Sequence, residues 1–402
     1  MNETPSLRRR VVYNPSSAEF HQNPFPSLRH LRESDAVHLT PQGWLLTRYK
    51  DCAEVLASRD FGMRGIADML RKQVGAGPAL EFIANRFHSF DPPEHTRLRS
   101  LVAGAFSARR IQGMRAHIEA LAERLLNQVA TGTPFDLMEN FAGPLPTSVI
   151  MEMLGTPMAE RVRLSVWTEQ ILKLQGMPQP DPLTLEEGNA AARDFMTYMR
   201  GIIAVRRGQP GSDLLSALIA AEEQGDRLTT EEIAECVVFL SNAGFATTRN
   251  MIGNAVVALL TNREQWELLV EDPSLVGEAV EEALRYDCSL VSTLRFARKE
   301  TMVGNRRLAE GAAVFCLLNA ANRDPERFPD PDRFDIMRSD KKHLAFGGGV
   351  HTCLGAPLAR MQIGIALAAL LRRCPGLRLG TGKIEWRSGM YRGPLRVQVV
   401  GD

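Results

Sequence analysis

The longest uninterrupted helical pattern in the chain limits its possible folds more than any other feature. It begins with a capping box, Thr229-Thr230-Glu231-Glu232, and continues through about Leu260. At 1.5 Å per residue such a helix is roughly 48 Å long, which is enough to cross a whole domain. No run of 18 apolar residues occurs, so the pattern does not indicate a membrane span. It predicts a central helix in a large, mainly helical domain.

Most of the remaining pattern is also helical. Asp91-Pro92-Pro93-Glu94 predicts a helix to about Leu101, with Asp91 as N-cap and a proline at the first position. Further helices are expected over residues 111–130, 272–286 and 356–373. Weaker strand patterns, which indicate a small side sheet, cover residues 44–47, 294–297, 313–317 and 395–400. Because strands and helices do not alternate regularly, a Rossmann or barrel fold is disfavoured.

Charge and cysteine content exclude several classes of protein. The 402 residues include 48 Lys and Arg against 47 Asp and Glu, and this balance argues against a general nucleic-acid binder. The six cysteines contain no CxxC, which excludes a structural zinc site and a disulfide framework. No repeat, linker, secretory signal or membrane span is found. We therefore expect a single cytoplasmic domain over residues 1–402, with residues 1–13 as a flexible tail.

One cysteine lies in an unusual setting. In Phe346-Gly347-Gly348-Gly349-Val350-His351-Thr352-Cys353-Leu354-Gly355, four glycines surround Cys353 just before the Ala356-Pro357 helix start. Glycines allow positive φ and the close approach of a flat ligand. The helix start directs free N–H groups towards the sulfur and favours a metal-binding thiolate. A lone cysteine is usually a small buried apolar residue. A phosphate loop is disfavoured because neither GxGxxG nor a following Lys-Ser/Thr is present.

Two further patterns are ambiguous by themselves. Glu282 and Arg285 stand at i and i+3 on one helix face, which ordinarily means a surface ion pair worth less than about 1 kcal/mol. The long helix contains the small-residue segment Asn242-Ala243-Gly244-Phe245-Ala246-Thr247-Thr248. A glycine inside a helix costs roughly 1 kcal/mol, so this segment indicates either a ligand lying against the backbone or close helix packing.

Taken in chain order, the small-residue helix, the ExxR pattern and the cysteine loop resemble the cytochrome P450 family of haem-thiolate monooxygenases. The resemblance covers about Asn14 to Val399 and is greatest to the soluble bacterial type. The cysteine loop matches FGxGxHxCxG at every fixed position. The resemblance implies a mainly α fold with a small β region. One haem b would lie between the long helix and the helix after the cysteine loop, with Cys353 as the metal ligand.

The resemblance also assigns further residues around the haem. The cofactor-binding set comprises His95, Arg99, Arg295, His351, Phe346, Gly347, Cys353 and Gly355. Four of these, His95, Arg99, Arg295 and His351, would bind the anionic propionates; without the family pattern each would count as an ordinary surface residue. A structural ion-pair triad would consist of Glu282, Arg285 and Arg333, and the loss of one member would leave the others unpaired.

On the distal side the resemblance makes Thr247 the alcohol used in oxygen activation, with Ala243 and Gly244 beside it as catalytic positions. The family usually has an acid immediately before this alcohol, whereas this chain has Ala246. The usual acid–alcohol proton relay is therefore incomplete. Segments 61–90 and 172–182 are expected to cover the pocket. The expected substrate-pocket residues are Phe87, Ala246, Leu290, Val291 and Met390.

The expected function is insertion of one oxygen atom from O2 into a medium-to-large, mostly apolar substrate, by hydroxylation or epoxidation, in secondary metabolism or degradation. Electrons would come from a ferredoxin-type donor and its reductase. The donor would meet a basic patch formed by Arg360 with Arg109, Arg110, Lys341 and Lys342. Two alternatives stay open: peroxide-driven or radical coupling chemistry, which Ala246 supports, and a non-catalytic haem- or ligand-binding protein.

Overall fold

Helices dominate the fold. The computed structural model describes residues 14–15, 17–129, 132–174, 180–211, 213–223, 228–387 and 389–401, so the expected tail 1–13 lies outside the described residues. The helices are α1 Ala18–Gln22, α2 Phe25–Ser34, α3 Tyr49–Ala57, α4 Ile66–Val74, α5 Pro78–Ala84, α6 Glu94–Ala103, α7 Ala108–Leu126, α8 Pro144–Met153, α9 Arg161–Lys173, α10 Pro182–Gly208, α11 Leu214–Glu223, α12 Thr230–Thr261, α13 Arg263–Glu271, α14 Val276–Tyr286, α15 Leu318–Ala321 and α16 Ala356–Arg373.

The long helix is confirmed as α12. The Thr229 side chain accepts from the Glu232 N–H, and Glu232 reaches back to the Thr229 N–H, so both halves of the capping box form. The helix packs against α8, α9, α10, α14 and α16 and is buried along most of its length. It therefore runs through the main hydrophobic core. No helix in the described part of the chain is long and apolar enough to cross a bilayer.

The strands form three small sheets. Their bounds are β1 Val37–Thr40, β2 Gly43–Leu46, β3 Phe61–Gly62, β4 Phe135–Asp136, β5 Ser292–Ala297, β6 Thr301–Val303, β7 Arg306–Leu308, β8 Ala313–Leu317, β9 Arg378–Leu379 and β10 Gln398–Val400. The largest sheet has the order β1-β2-β8-β5-β3, and within it only β2 and β8 are parallel. Three of the expected strands therefore share one sheet. The fourth, 395–400, shortens to β10 and pairs instead with β4 and β9.

Some expected helix bounds were wrong. Asp91 does not cap α6, which begins at Glu94 with Pro93 in the N-cap position. Instead the Asp91 carboxylate accepts from the backbone N–H groups of Met63 and Arg64 and pairs with Arg298, so it joins two loops. The helix expected over 111–130 is α7, displaced towards the N-terminus. The one expected from residue 272 begins as a 3-10 turn at Pro273–Leu275 before α14.

Candidate active site

The cysteine loop is shaped by its glycines and by the start of α16. The Cys353 N–H donates to the carbonyl oxygen of Phe346 at 3.0 Å, which closes the loop three residues before α16 begins. Gly347 and Gly349 have φ values of +69° and +66°. A Cβ at Gly349 would collide with the carbonyl oxygen of Leu56, so this position needs glycine for space as well as for conformation. The sequence therefore holds the sulfur on a tight turn.

The surroundings of Cys353 indicate that it faces an internal cleft. Its side chain is accessible, yet enough protein surrounds the thiol for desolvation to raise its pKa. The N–H groups of Gly355 and Ala356 and the charge of Arg99 act in the opposite direction and favour the thiolate. A solvent-facing cysteine would not be desolvated, and a core cysteine would not be accessible. The sulfur is thus open to a ligand within the protein.

Two histidines lie beside the cleft without hydrogen-bond partners. The rings of His95, on α6, and His351 have centroids 4.2 Å apart. None of their four ring nitrogens has a partner among the described residues, although all four are buried. Burial and the neighbouring Arg295 and His95 lower the pKa of His351 to about 3. Buried polar atoms are almost always paired, so these nitrogens point to an absent ligand.

Two arginines complete this corner of the site. Arg295 on β5 is 4% exposed and donates to the carbonyl oxygen of Leu294 at 2.8 Å. Arg99 donates to the carbonyl oxygen of Thr352 at 2.6 Å, directly beside the cysteine. Among the described residues, neither arginine is paired with a carboxylate at salt-bridge distance. The four expected propionate residues are therefore brought together, and their cations and free imidazoles suit a ligand carrying carboxylates. Phe346 lies below them under the guanidinium of Arg360.

On α12 the hydroxyl of Thr247 donates to the carbonyl oxygen of Ala243 at 2.6 Å. Ala243, Ala246 and Thr247 are all partly accessible, as expected for a helix face that borders a cleft. Gly244 is partly accessible as well, and a Cβ there would lie 3.0 Å from Ile150 of α8. Close packing against α8 therefore favours a small residue at this position, and its expected catalytic role stays a prediction.

The expected substrate-pocket residues come from three distant segments. Leu290 forms a β-bridge with Tyr391, and the Val291 N–H donates to the Met390 carbonyl oxygen at 3.0 Å. Phe87 is 4% exposed and packs edge-on against Phe239 of α12, so it supports the wall. The segment before Asp91, the residues after α14 and the C-terminal loop therefore converge beside α12. Of the expected lid, residues 175–179 lie outside the described residues.

Four polar residues of this region were missed by the sequence analysis. Arg86 and His88 flank Phe87, Tyr391 follows Met390, and Asn242 begins the small-residue segment. The ring of His88 stacks on Phe239 at 4.5 Å, and neither side-chain amide atom of Asn242 has a partner among the described residues. The signal available in the sequence was weak: charged and aromatic residues together in a segment expected to cover an apolar pocket.

The predicted structural triad was wrong in its third member. Glu282 and Arg285 are fully buried and form a two-bond pair at 2.8 Å. The arginine that completes it is Arg338, whose Nε donates to Glu282 at 3.3 Å. The Arg333 side chain is 68% exposed and pairs loosely with Asp335, and Arg333 contributes only its carbonyl oxygen to Arg285. The segment 328–338, called the meander here, has no regular secondary structure. It turns the Arg333 side chain outward and returns towards Glu282 at Arg338.

The expected basic patch is partly neutralised. Arg360 makes a two-bond pair with Glu281 at 2.6 and 2.9 Å, and Lys341 pairs with Glu278. Although burial acts to raise it, the pKa of Glu281 is held at about 2 by His343 and Arg360. Arg109, Arg110 and Lys342 are exposed, and among the described residues none of them is within salt-bridge distance of a carboxylate, although Asp340 lies near Lys342. The free positive charge therefore lies on these three residues.

An accessible cysteine at a helix start, close to arginines and unpartnered histidines, has the features expected of a haem-thiolate site. The chain belongs to the cytochrome P450 family, whose model matches residues 82–375. It is 35% identical to the polyketide biosynthesis cytochrome P450 PksS of Bacillus subtilis, over 95% of this chain and 96% of that protein. It is 40% identical to the mycinamicin IV hydroxylase/epoxidase of Micromonospora griseorubida, over 89% of each chain.

Solved structures agree with this assignment. The crystal structure of CalO2 superimposes with a TM-score of 0.91, at 32% identity, over 98% of this chain and 99% of that one. The expected fold, mainly α with a small β region, is confirmed. The chain is a bacterial-type cytochrome P450 monooxygenase, an oxidoreductase that incorporates oxygen from O2.

Proposed function

We propose that this chain binds one haem b through Cys353 and hydroxylates or epoxidises a medium-to-large, mostly apolar secondary metabolite. The observation that carries the proposal is the combination of an accessible, desolvated Cys353 with the unpartnered nitrogens of His95 and His351. When bound, haem supplies the activation of O2, and a thiolate ligand favours O–O cleavage. His95, His351, Arg99 and Arg295 would hold its propionates.

The polypeptide's own contributions are binding, orientation and proton management. Thr247 is anchored to Ala243 through its hydroxyl hydrogen, so its oxygen can still accept a hydrogen bond from a water molecule or a substrate. Leu290, Val291 and Met390 supply an apolar wall. The relatives named for polyketide biosynthesis and for mycinamicin IV support a polyketide-like substrate. A small acidic ferredoxin with its reductase would deliver electrons, in the cytoplasm.

The absorption spectrum of the reduced, carbon monoxide-bound protein tests the ligand. We expect the red-shifted Soret band of a thiolate complex in wild type and in Cys236→Ser, which removes a buried thiol from α12. Cys353→Ser should lose that band, because a hydroxyl has a much higher pKa and is a harder ligand. A Cys353→Ser variant with an unchanged band and unchanged turnover would contradict the assignment.

A second candidate function is peroxide-driven oxidation. The observation in its favour is that residues 243–248 contain no acid, while the Thr247 hydroxyl donates to its own helix. Turnover with isotopically labelled O2, a ferredoxin and its reductase separates the two. Label in the product supports monooxygenation, whereas product formed with peroxide but not with O2 and the ferredoxin system supports the second candidate.

A further inference from the structure

Arg86 is a buried arginine without a negative partner. It is 3% exposed and lies between α5 and α6, where its Nε donates to the carbonyl oxygen of Ile83 at 3.2 Å. Its guanidinium lies over the rings of Phe82 and Phe239, 5.2 and 5.8 Å from their centroids. Within the described residues no carboxylate pairs with it, and neither of its Nη groups donates a hydrogen bond.

The charge of Arg86 is therefore poorly compensated. Burial lowers its pKa to about 10, so the group stays protonated at neutral pH. The polar group that interacts with it electrostatically is the hydroxyl of Tyr391, whose own pKa is raised by burial. Contacts with aromatic faces recover part of the lost hydration. Burying a charge without a counter-ion is nevertheless unfavourable, and proteins rarely do so unless a ligand supplies the missing charge.

The position of Arg86 places it in the substrate region. Tyr391 pairs with Leu290 in the wall described above. Phe239, whose ring lies under the guanidinium, is eight residues before Thr247 on α12, so their Cα atoms lie roughly 12 Å apart along the helix axis. The four propionate-binding candidates cluster around His95 and His351, and Phe87 packs between His95 and Phe239. His88, whose ring stacks on Phe239, lies between that cluster and Arg86.

A second unpartnered polar group lies on the same helix face. Asn242 is 2% exposed, and neither its amide nitrogen nor its amide oxygen has a partner among the described residues. It stands at i+3 from Phe239 and at i−4 from Ala246, so all three share one side of α12. A dry apolar pocket would leave this amide unsatisfied. The unpartnered polar groups of Arg86 and Asn242 therefore indicate a substrate with polar groups at one end.

We propose that Arg86, with the Tyr391 hydroxyl as a second donor, binds a carboxylate of the substrate. Two guanidinium Nη groups match the two oxygens of a carboxylate, and a single cation balances a monoanion better than a phosphate dianion. The substrate class is then a carboxylic acid with a mostly apolar body, oxidised at a carbon remote from its acid group. This inference rests on the proposed function, because it names the substrate of that same site.

Binding of matched acids and esters to the haem-loaded protein tests the proposal. The probes are tetradecanoate and biphenyl-4-acetate, each beside its methyl ester, titrated by the haem absorption shift and by calorimetry. We expect at least one acid to bind wild type at least tenfold more tightly than its ester. Arg86→Gln should abolish this preference, Arg86→Lys should keep part of it, and Tyr391→Phe should weaken it several-fold. Arg163→Gln, which removes an arginine lying over Trp167 and Tyr198, should leave it unchanged.

The outcomes separate the carboxylate site from the proposed function. Esters that bind wild type as tightly as acids, or the absence of binding by both acids, would overturn the site. So would an acid preference that survives in Arg86→Gln. If Arg86→Gln fails to retain haem, Arg86→Lys decides, since full acid preference in a lysine variant contradicts the bidentate geometry. If the reduced, carbon monoxide-bound wild type does not show the Soret band of a thiolate complex, the proposed function itself is contradicted.

Discussion

Among single residues, Glu235 of α12 is a carboxyl group that makes the stability of the fold depend on pH. Burial, together with the neighbouring Glu231 and Glu232, raises its pKa to about 7. It borders a cavity of about 130 Å³ that Asn85, Phe87 and Leu98 also line. Opposing contributions come from Asn85 and Arg200, which act to lower the pKa. The group is therefore protonated in the folded chain under conditions in which the unfolded chain has lost the proton.

We expect the contribution of Glu235 to stability to fall as the pH rises from about 4.5 to above 7. In this window Glu235 binds more protons in the folded than in the unfolded state, so its contribution to the slope of stability against pH is negative, at most about 1.4 kcal/mol per pH unit. The lowered pKa of His351 contributes a slope of opposite sign that is the same in both proteins, so Glu235→Gln should have a more positive slope than wild type and be more stable at pH 8. Urea unfolding at several pH values measures it, with the exposed Glu186→Gln as control. An identical slope in Glu235→Gln would contradict the assignment.

Thr247 carries the second residue-scale prediction. Its hydroxyl donates to Ala243, and the adjacent Ala246 cannot resupply protons. We expect water or the substrate's own polar group to do so, rather than a carboxylate elsewhere in the pocket. We expect Thr247→Ala to lower product formed per reduced nicotinamide by roughly tenfold and to release peroxide instead. Substrate analogues without the polar group should likewise uncouple electron consumption from product formation in wild type. With those analogues, Ala246→Asp should restore coupling. Tight coupling of Thr247→Ala with every analogue would refute this route.

Among the structural elements, the cysteine loop offers a matched pair of glycines. Both Gly347 and Gly349 have positive φ, but only at Gly349 would a Cβ meet the Leu56 backbone. Gly347→Ala should cost about 1 kcal/mol, the ordinary penalty for a left-handed residue. Gly349→Ala should cost clearly more and lower haem retention, since the loop must move away from α3. Chemical denaturation and haem content measure this, and equal effects of the two substitutions would exclude the steric explanation.

The contact between α14 and the meander offers a second set of matched substitutions. Glu282→Ala would leave Arg285 and Arg338 buried without a counter-ion, so we expect a loss of about 3–5 kcal/mol. Arg338→Ala should be similarly harmful. Arg333→Ala should change stability by less than about 1 kcal/mol, because its side chain is exposed. Thermal and urea unfolding of the three variants measure the order. A larger effect for Arg333→Ala than for Arg338→Ala would restore the original triad.

What the sequence predicts well is local. The α12 capping box and the cysteine loop are each encoded within a few consecutive residues, so their form follows from local pattern. The choice between Arg333 and Arg338 depends on the path of the meander, where Asp330 has a φ of +46°. The proximity of Arg86 to Tyr391 depends on the entire fold. Such pairings carry no periodic signal, which is why the charged end of the pocket was missed.

For the whole molecule, we expect charge distribution to govern the encounter with the proposed electron donor. Because Glu281 and Glu278 neutralise Arg360 and Lys341, the cations left for steering are Arg109, Arg110 and Lys342. We expect reduction by an acidic ferredoxin to slow with rising ionic strength. It should slow further in Arg109→Glu/Arg110→Glu. Stopped-flow reduction measures both, with the distant Arg71→Glu as control.

Arg360→Glu is a less clean test, because it would place a second carboxylate beside Glu281. The sequence-based prediction gave Arg360 the leading role in binding the electron donor. Because Arg360 pairs with Glu281, we now expect the exposed Arg109, Arg110 and Lys342 to contribute more. Reduction rates that ignore both salt and charge reversal at Arg109 and Arg110 would exclude electrostatic steering by this face.

Because distant segments converge on one pocket, the residues that line it are synthesised at different times. Arg86, His95 and Arg99 are made long before Cys353, and Tyr391 later still. At about 5–20 residues per second, roughly 15–60 s separate Arg86 from Tyr391 on the ribosome. During that interval the early cations and imidazoles lack the later segments that bury them in the folded chain. Haem uptake through Cys353, as proposed, would therefore come late, and we expect a cell that makes the polypeptide faster than haem to accumulate chains in which these groups are not yet fully buried.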